Sequence, residues 1–215
     1  VIPGESKKEI LLSTYICHPS MVNNELSGPA IATFLAKYLL TLKRRRFTYR
    51  FVFVPETIGT IAYLSKNLSP LKERVIGGYV LTCLAGKTGF TYVQTREDET
   101  LVNRLTRHTL KHSGHEYKVL PFLERGSDER QYGWPGVDIP VGSLMRSSYH
   151  DFPAYHTSDD NEEEKKRRSA ISAAVDAAKE FFVEPEREIT IADFEEAILR
   201  VQMGPAKKLV MSEHE

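Results

Sequence analysis

The sequence predicts an α/β fold in which a mainly parallel central sheet is covered by helices on both faces, a three-layer α/β/α arrangement. Three observations lead to this prediction. Short apolar, β-branched runs alternate along the chain with longer segments of helical periodicity. The strand runs are nearly continuous in apolar residues, which is typical of strands buried on both faces. No internal repeat or low-complexity linker interrupts the alternation.

The first half of the chain is predicted to contain two buried strands, each followed by a helix. Pro19 and Pro55 come shortly after the two strands and end the extended runs. The first helix begins at Ser27, a residue type favoured at the N-cap, with Gly28 and Pro29 next. In chain order the predicted elements are a strand over 9–17, a helix over 27–42, a strand over 49–54 and a short helix over 58–67.

The second half continues the alternation with shorter strands. Its first helix, over 99–112, is expected to turn Leu101, Leu105 and Leu110 inward. In chain order the predicted elements are strands over 74–84 and 89–94, the helix over 99–112, strands over 117–120 and 139–143, and helices over 162–182 and 191–202. We therefore expect one α/β domain over 1–203 and a loose tail over 204–215.

The composition argues against several classes of protein. Lys plus Arg and Asp plus Glu both total 29, so a nucleic-acid binder that relies on a bulk positive field is not expected. No run of about 18 apolar residues predicts a membrane helix. The two cysteines, Cys17 and Cys83, are too few for a disulfide framework. Both are expected at buried strand ends, in a reducing, cytoplasmic setting.

Polar side chains gather where the predicted strands end. Parallel α/β sheets bind their ligands beyond the carboxyl ends of the strands, so a site is expected at these positions. Four clusters lie there: CHPSMVNNELSG over 17–28, PETIG over 55–59, RGSDERQY over 125–132 and YHTSDDN over 155–161.

These clusters contain the donors of a catalytic zinc site. Such a site has three protein ligands and one open position, and imidazole and carboxylate are usual donors. His18, Asp128 and His156 are the candidate ligands. Glu56 is the candidate general base for the attacking water, and Asp159 or Asp160 is a candidate for orienting His156 by a hydrogen bond.

Each of these residues also has a purely structural interpretation, and spacing alone leaves both open. His18 could be a polar cap at the end of a strand, and Glu56 could be a surface turn residue. The Ser-Asp-Glu-Arg run could be a helix cap with a salt bridge. His108 and His112 also have metal-like i, i+4 spacing, but we interpret them as the solvated face of a helix rich in Lys and Arg.

The order of the clusters resembles the zinc aminopeptidase superfamily, which includes bacterial leucyl aminopeptidases, glutamate carboxypeptidase and glutaminyl cyclase. In that superfamily a histidine follows the first core strand, and an acidic stretch ending in Ser-Gly opens a helix. A Glu-Glu-x-Gly motif, a Ser-Asp-His motif and a Tyr-His-Thr motif follow. The corresponding segments here are His18, 23–28, 56–59, 127–129 and 155–157, and the resemblance covers 10–182. It implies a phosphorylase/hydrolase-like zinc-peptidase core.

The segments are most similar to one bacterial branch of aminopeptidase-like proteins, once known only as a domain of unknown function. The phrases STYICHPSMVNNELSGP, RGSDERQY, IPVGSLMR and YHTSDDN carry this resemblance. The branch is associated with surface-polysaccharide biosynthesis gene clusters, and its members have additional N-terminal and C-terminal regions. We therefore expect the chain, which begins at Val1, to be truncated at its start.

Three departures from the dizinc members of the superfamily predict one metal at most. Asn23 stands where an aspartate bridges the two ions, Thr57 where a glutamate binds, and Thr82-Cys83 where an aspartate ligand ends the third strand. Two adjacent cations need bridging negative charge, which these side chains do not supply. Glu56 keeps the place of the general base. A ligand role for Asp128 is inferred, since its position in the superfamily is near the metals without usually binding them.

The resemblance implies a hydrolase with one zinc ion, an aminopeptidase or amidase acting on a peptide or an acyl-amino small molecule, with homo-oligomerisation left open. Arg130 and Tyr132 could bind a substrate carboxylate or carbonyl, although Arg130 could equally pair with an acidic neighbour. Arg146 lies on a loop where a specificity wall could form. Two alternatives stay open: a catalytically degenerate member that binds a metal or a peptide-like ligand, and a cyclase-like acyl transferase.

Overall fold

The computed structural model of the chain describes residues 1–18, 21–86 and 88–160, and it contains a single mixed sheet. Its strands are β1 (Glu9–Tyr15), β2 (Thr48–Val54), β3 (Val75–Leu81), β4 (Phe90–Val93), β5 (Tyr117–Leu120) and β6 (Val141–Met145). The spatial order is β2-β1-β3-β6-β4-β5. The four strands β2, β1, β3 and β6 are parallel, β4 runs antiparallel to β6, and β5 is parallel to β4.

The described residues also contain four α-helices and three short helical turns. The helices are α1 (Ser27–Thr41), α2 (Ile58–Arg74), α3 (Leu101–His112) and the one-turn helix α4 (Glu129–Tyr132). The turns are a π-helical turn at Val22–Leu26 and 3₁₀ turns at Phe122–Glu124 and Ser158–Asp160. The predicted helices over 162–182 and 191–202 and the predicted tail over 204–215 lie outside the described residues.

The two faces of the sheet carry separate apolar clusters. Successive residues of a strand point to opposite faces, and Leu11 and Leu12 of β1 do so here. Leu12 belongs to a cluster with Ile31 of α1 and Leu110 of α3. Leu11 belongs to the other cluster, with Leu71 of α2. Helices therefore cover both faces, and the predicted three-layer α/β/α class is confirmed.

Helix α2 is longer than the sequence indicates. The predicted end at residue 67 is wrong, because the helix continues through Pro70 to Arg74. Proline removes one backbone hydrogen bond from a helix interior and so favours an earlier end. Leu71, just beyond the proline, is 1% exposed in the core, and burial of its side chain contributes about 2 kcal/mol that offsets this loss.

Helix α3 turns a different face to the core from the predicted one. Its cap is Thr100, whose side chain accepts a hydrogen bond from the N–H of Asn103. Of the three leucines expected inward, Leu110 is buried, but Leu101 and Leu105 are exposed. Val102, Asn103 and Thr106 are buried instead. The polar side chains have partners there: the Thr106 hydroxyl bonds to a helix carbonyl, and Asn103 Oδ1 accepts from the Tyr92 hydroxyl.

An apolar groove of about 480 Å³ lies between α2 and the chain that follows α4. Ile61, Leu64 and Leu68 line it from α2, and Trp134 and Val137 line it from the other side. Trp134 is 65% exposed. Among the described residues, no helix combines the length and the apolar character that a membrane span requires.

Candidate metal centre

The carboxyl ends of β1, β2 and β3 meet at one edge of the sheet, and the predicted site residues gather there. His18 comes shortly after β1, Glu56 after β2 and Cys83 after β3. The register pairs Tyr15, the last residue of β1, with Val54, the last residue of β2. Because these strands are parallel neighbours, the loops that follow them start close together.

Two histidines that are distant in sequence lie side by side at this edge. The ring centroids of His18 and His156 are 5.0 Å apart, and the rings are tilted by 37°. His156 stacks on Tyr155 at 4.0 Å, while His18 packs edge-on against Tyr15 at 5.2 Å. Neighbouring aromatic rings therefore restrict both imidazoles. The structure brings together two of the three ligands predicted from the sequence.

A second pair of donors, which the sequence analysis did not select, surrounds His18. Its Nδ1 lies 3.3 Å from Cys17 Sγ and 3.6 Å from Glu25 Oε2. The backbone N–H of His18 also donates to Glu25 Oε2. Within the described ranges, Cys17, His18 and Glu25 are the one group of three metal-binding side chains whose donor atoms all lie within 4.8 Å of one another. Cys17 is exposed, so the expectation that it is a buried strand end is wrong, whereas Cys83 is buried as expected.

Glu56, the predicted general base, borders this group. Its backbone N–H donates to Cys17 Sγ at 3.2 Å, and its Oε1 accepts from the Ser127 hydroxyl at 2.6 Å. The carboxylate is half-buried and fixed by a side chain from a distant loop. Such fixing limits the directions in which a carboxylate can accept a proton, which is useful for a general base.

Asp128, the third predicted ligand, is wholly buried beside Glu56 and Thr57. Its Oδ1 accepts from the N–H of Thr57 at 2.7 Å, and its Oδ2 is a buried oxygen that has no hydrogen-bond partner in the described part of the chain. Burial raises the pKa of Asp128 to about 6, against the effect of the Thr57 N–H, which lowers it. Asp128 does not join the three-residue group around His18. Its role as a metal ligand stays a prediction.

Asn23 and Asp160 form a second arrangement, at the start of the π-helical turn. Asp160 is buried, and its Oδ1 and Oδ2 accept from the N–H groups of Asn23 and Asn24 at 2.9 and 3.0 Å. The Asn23 side chain accepts from the N–H of Ala85, while its Nδ2 is buried and has no hydrogen-bond partner within residues 1–18, 21–86 and 88–160. Asp160 thus caps the turn that carries Glu25. Its predicted hydrogen bond to His156 stays a prediction.

The predicted substrate residues lie in three different environments. The guanidinium of Arg130 donates to the Ser127 carbonyl at 3.0 Å and to the Thr57 hydroxyl at 3.3 Å, so it adjoins the site. Tyr132 is wholly buried and bonds to Ser13 Oγ, which makes it a supporting core residue rather than a substrate contact. Arg146 lies over the Phe90 ring at 5.2 Å, on the β4 side of the sheet.

Glu129 supports the loop behind the site, a role that the sequence analysis missed. It is wholly buried, and its Oε1 accepts from the N–H groups of Gly126 and Ser127 at 2.8 and 3.0 Å. Its Oε2 accepts from the Ser143 hydroxyl at 2.6 Å. Within the described residues Arg130 forms no ion pair with Glu129 or Asp138, the alternative partners from the sequence, and it bonds to oxygens of Ser127 and Thr57 instead.

The backbone around the site is strained at three non-glycine residues. Thr57, Cys83 and His156 have φ values of 61°, 50° and 56°, in the left-handed region that most side chains avoid. Each such residue costs of order 1–2 kcal/mol and persists only where surrounding contacts hold it. Strain of this kind clusters at functional sites, so it supports the assignment of a site to this edge.

The side chains present fit one zinc ion. Imidazole, thiolate and carboxylate are the donors that zinc prefers, and all three types converge at His18. A second ion would need further anionic donors. Asn23, Thr57 and Cys83, at the positions where the resemblance predicts such donors in dizinc enzymes, form other hydrogen bonds in the structure.

Comparisons with known sequences and structures support the resemblance that the sequence predicts. The profile of a family described as a domain of unknown function (DUF4910) matches residues 1–183. A Clostridium acetobutylicum protein, named as a candidate polysaccharide biosynthesis protein with an aminopeptidase-like domain, is 49% identical over 157 residues. That match covers 73% of this chain and 36% of the relative.

Solved structures extend the comparison to aminopeptidases. A Clostridium acetobutylicum protein crystallised as a candidate peptidase is 41% identical with a TM-score of 0.74, over 88% of this chain and 46% of that one. A zinc aminopeptidase from Bacillus subtilis has a TM-score of 0.62 at 16% identity, over 90% and 51% of the two chains. An aminopeptidase from Aneurinibacillus sp. strain AM-1 has the same TM-score and identity, over 86% and 48%.

These likenesses confirm the resemblance that the order of the motifs predicts. At 16% identity the two aminopeptidases show the fold alone, and the Clostridium acetobutylicum relatives agree with the predicted aminopeptidase-like branch. The chain spans between 36% and 51% of the length of these relatives.

Proposed function

We propose that this chain, which belongs to the DUF4910 family, is the core of a zinc-dependent hydrolase of peptide-type amide bonds. The substrate is a peptide or an acyl-amino compound, and the metal is a single ion at His18. The aminopeptidase-like fold supports this reaction class, and the Clostridium acetobutylicum relative supports a setting in polysaccharide biosynthesis.

One observation carries the proposal. His18 and His156, which come from opposite ends of the described chain, lie with their rings 5.0 Å apart. The backbone N–H of Glu56 donates to Cys17, the neighbour of His18, and the Glu56 carboxylate is fixed by the Ser127 hydroxyl. Two neutral imidazoles beside a positioned carboxylate are the parts that a mononuclear metallohydrolase requires. A purely structural role for both histidines does not account for the half-buried carboxylate at the same place.

The side chains divide the reaction between them. Zinc, when bound at His18, supplies the polarisation of the scissile carbonyl and makes the attacking water more acidic. Glu56 takes a proton from that water and passes it to the leaving amine. The Ser127 hydroxyl keeps the Glu56 carboxylate in place by its hydrogen bond to Oε1. Arg130, held against Thr57, offers its guanidinium to a carboxylate or carbonyl of the substrate.

Two residues compete for the position of carboxylate ligand. Asp128 is the candidate from the sequence, and its Oδ2 has no hydrogen-bond partner among the described residues, so this oxygen is free to bind a cation. Glu25 is the candidate that the described contacts favour, since its Oε2 is 3.6 Å from His18 Nδ1. His156 remains the second histidine donor in this proposal.

The test combines metal analysis with substitution of the base. Glu56→Gln keeps the size of the side chain but cannot accept the proton, so we expect zinc content to be retained and hydrolysis to fall by about 10²–10⁴-fold. Zinc is measured by elemental analysis, and turnover on a panel of aminoacyl and N-acyl amino-sugar substrates. Glu73→Gln is the matched control, because Glu73 is exposed near the far end of α2, the helix that follows Glu56.

The outcomes separate the alternatives. Undiminished hydrolysis by Glu56→Gln would exclude Glu56 as the base. A wild-type chain that binds no zinc would remove the basis of the proposal. Zinc binding without turnover across the panel would favour the alternative in which the protein is a catalytically degenerate member that only binds its ligand. The neutral residues Asn23 and Thr57, at positions where the resemblance predicts anionic ligands, also support this alternative.

A further inference from the structure

Cys17 is the donor at this edge that neither the resemblance nor the proposed mechanism uses. Its thiol is exposed, and its sulfur lies between the imidazole of His18 and the backbone N–H of Glu56. We infer that Cys17, as a thiolate, and Glu25, as a carboxylate, bind the same metal ion as His18. This inference deepens the proposed function and rests on it.

The distances between the donors agree with a shared tetrahedral ion. Zinc bonds of about 2.3 Å to sulfur and about 2.05 Å to nitrogen, at the tetrahedral angle, place those two atoms about 3.6 Å apart. The same construction gives about 3.4 Å between nitrogen and a carboxylate oxygen. The observed separations are 3.3 Å for Cys17 Sγ to His18 Nδ1 and 3.6 Å for His18 Nδ1 to Glu25 Oε2. Small movements of the side chains therefore suffice for binding.

The surroundings favour a cation next to the sulfur. Burial raises the pKa of the Cys17 thiol, and the negative charges of Glu25, Glu56 and Asp128 raise it further. A divalent ion at His18 neutralises part of this negative charge, and it lets Cys17 release its proton to solvent as the sulfur–metal bond forms. The N–H of Glu56 points at the sulfur and stabilises the thiolate.

Local structure holds the three donors in place. Glu25 belongs to the π-helical turn at Val22–Leu26, and π-helical turns occur frequently at functional sites. Asp160 accepts two backbone hydrogen bonds from this turn, and the His18 N–H donates to Glu25. The carboxylate is thus positioned by backbone contacts on both sides before any ion binds.

The ligand set determines which ions the site accepts. A thiolate with one imidazole and one carboxylate selects zinc, cobalt or copper over magnesium, calcium and manganese, which prefer oxygen ligands. Three protein donors leave a fourth position for substrate or water, as a catalytic ion requires. In this inference Cys17 and Glu25 therefore bind the ion with His18, and His156 lies beside it without being a ligand. The metal preference of this site therefore differs from that of a site formed by His18, His156 and Asp128, which contains no thiolate.

Cobalt substitution of the full chain tests the thiolate directly. Co²⁺ bound through a thiolate has a sulfur-to-cobalt charge-transfer band in the near ultraviolet, in addition to visible d–d bands. We expect both in the wild type, loss of the charge-transfer band in Cys17→Ser, and retention in Cys83→Ala, the control at the other cysteine of the chain. Glu25→Gln should weaken Co²⁺ binding, and circular dichroism confirms that each variant is folded.

X-ray absorption spectroscopy of the zinc-loaded wild type measures the zinc–ligand distances without the use of a variant. We expect one sulfur atom at about 2.3 Å from the zinc ion. Visible d–d bands without a charge-transfer band, and zinc without a sulfur neighbour, would overturn the inference while leaving the proposed function standing. A charge-transfer band that persists in Cys17→Ser would also overturn it. A chain that binds neither ion would overturn both.

Discussion

The support that Glu129 gives to the loop of Ser127 and Asp128 leads to a quantitative prediction. Glu129→Ala removes the acceptor of two backbone N–H groups and of the Ser143 hydroxyl. Leaving a buried donor unsatisfied costs about 1–3 kcal/mol, so we expect the free energy of unfolding to fall by about 3–5 kcal/mol. Glu129→Gln keeps the oxygen that accepts the two N–H groups, and the Ser143 hydroxyl can rotate to accept from the new amide. We expect a loss of only about 1–2 kcal/mol there.

The assay is urea unfolding followed by far-ultraviolet circular dichroism, with the dependence on urea compared between variants. Glu124→Ala is the control, because Glu124 is an exposed glutamate of the preceding turn, and it should stay within about 0.5 kcal/mol of the wild type. The reasoning is refuted if Glu129→Ala loses less than about 1 kcal/mol, or if Glu129→Gln is as unstable as Glu129→Ala.

Two further predictions concern stability. In the metal-free chain, the pKa of Asp128 rises from 3.8 to about 6 on folding, so the protonated form is favoured in the fold. The protonated Asp128 side chain contributes about 3 kcal/mol to the free energy of unfolding below about pH 4. This contribution is lost as the pH rises to about 6, at about 1.4 kcal/mol per pH unit. We therefore expect the free energy of unfolding of the wild type to fall by that amount between pH 4 and 7, relative to that of Asp128→Asn, when urea unfolding is measured with a chelator present. A difference in free energy between the two proteins that does not change with pH would contradict this. Pro70→Ala restores a backbone donor within α2 and should raise the free energy of unfolding by about 1 kcal/mol or more, whereas a lower urea midpoint would count against it.

The sheet was largely predictable because its strands depend on local pattern. The runs at Glu9–Tyr15 and Thr48–Val54 are apolar, β-branched and soon followed by proline, so their boundaries are correct to within two residues. Helix α2 was mispredicted because a buried leucine, seen only in the tertiary structure, outweighs the proline before it. The inward face of α3 was misassigned because Asn103 and Thr106 are polar residues whose partners lie in other elements or in the helix backbone.

The proximity of the candidate residues is predictable where a residue type has few other uses at a strand end. His18, His156 and Glu56 are predicted in this way; the fold brings the two imidazoles together and sets the backbone N–H of Glu56 against Cys17, while the roles of the three residues stay predictions. The sequence does not single out Cys17 and Glu25 as metal donors, because each has an ordinary structural interpretation. Cys17 reads as a strand residue, and Glu25 reads as part of the acidic stretch that opens a helix. The signal was available, since Cys17 adjoins His18 and Glu25 follows seven residues later. The closure of that segment into a π-helical turn is not visible in the sequence.

The apolar groove beside α2 has a practical consequence for spectroscopy. Trp134, the one tryptophan of the chain, borders this groove and is 65% exposed in the folded state. Its emission therefore starts close to that of an indole in water, and unfolding changes it little. Any molecule that covers the groove would shift the emission to the blue. Intrinsic fluorescence thus reports occupancy of this face, while the melting of the sheet has to be followed by circular dichroism.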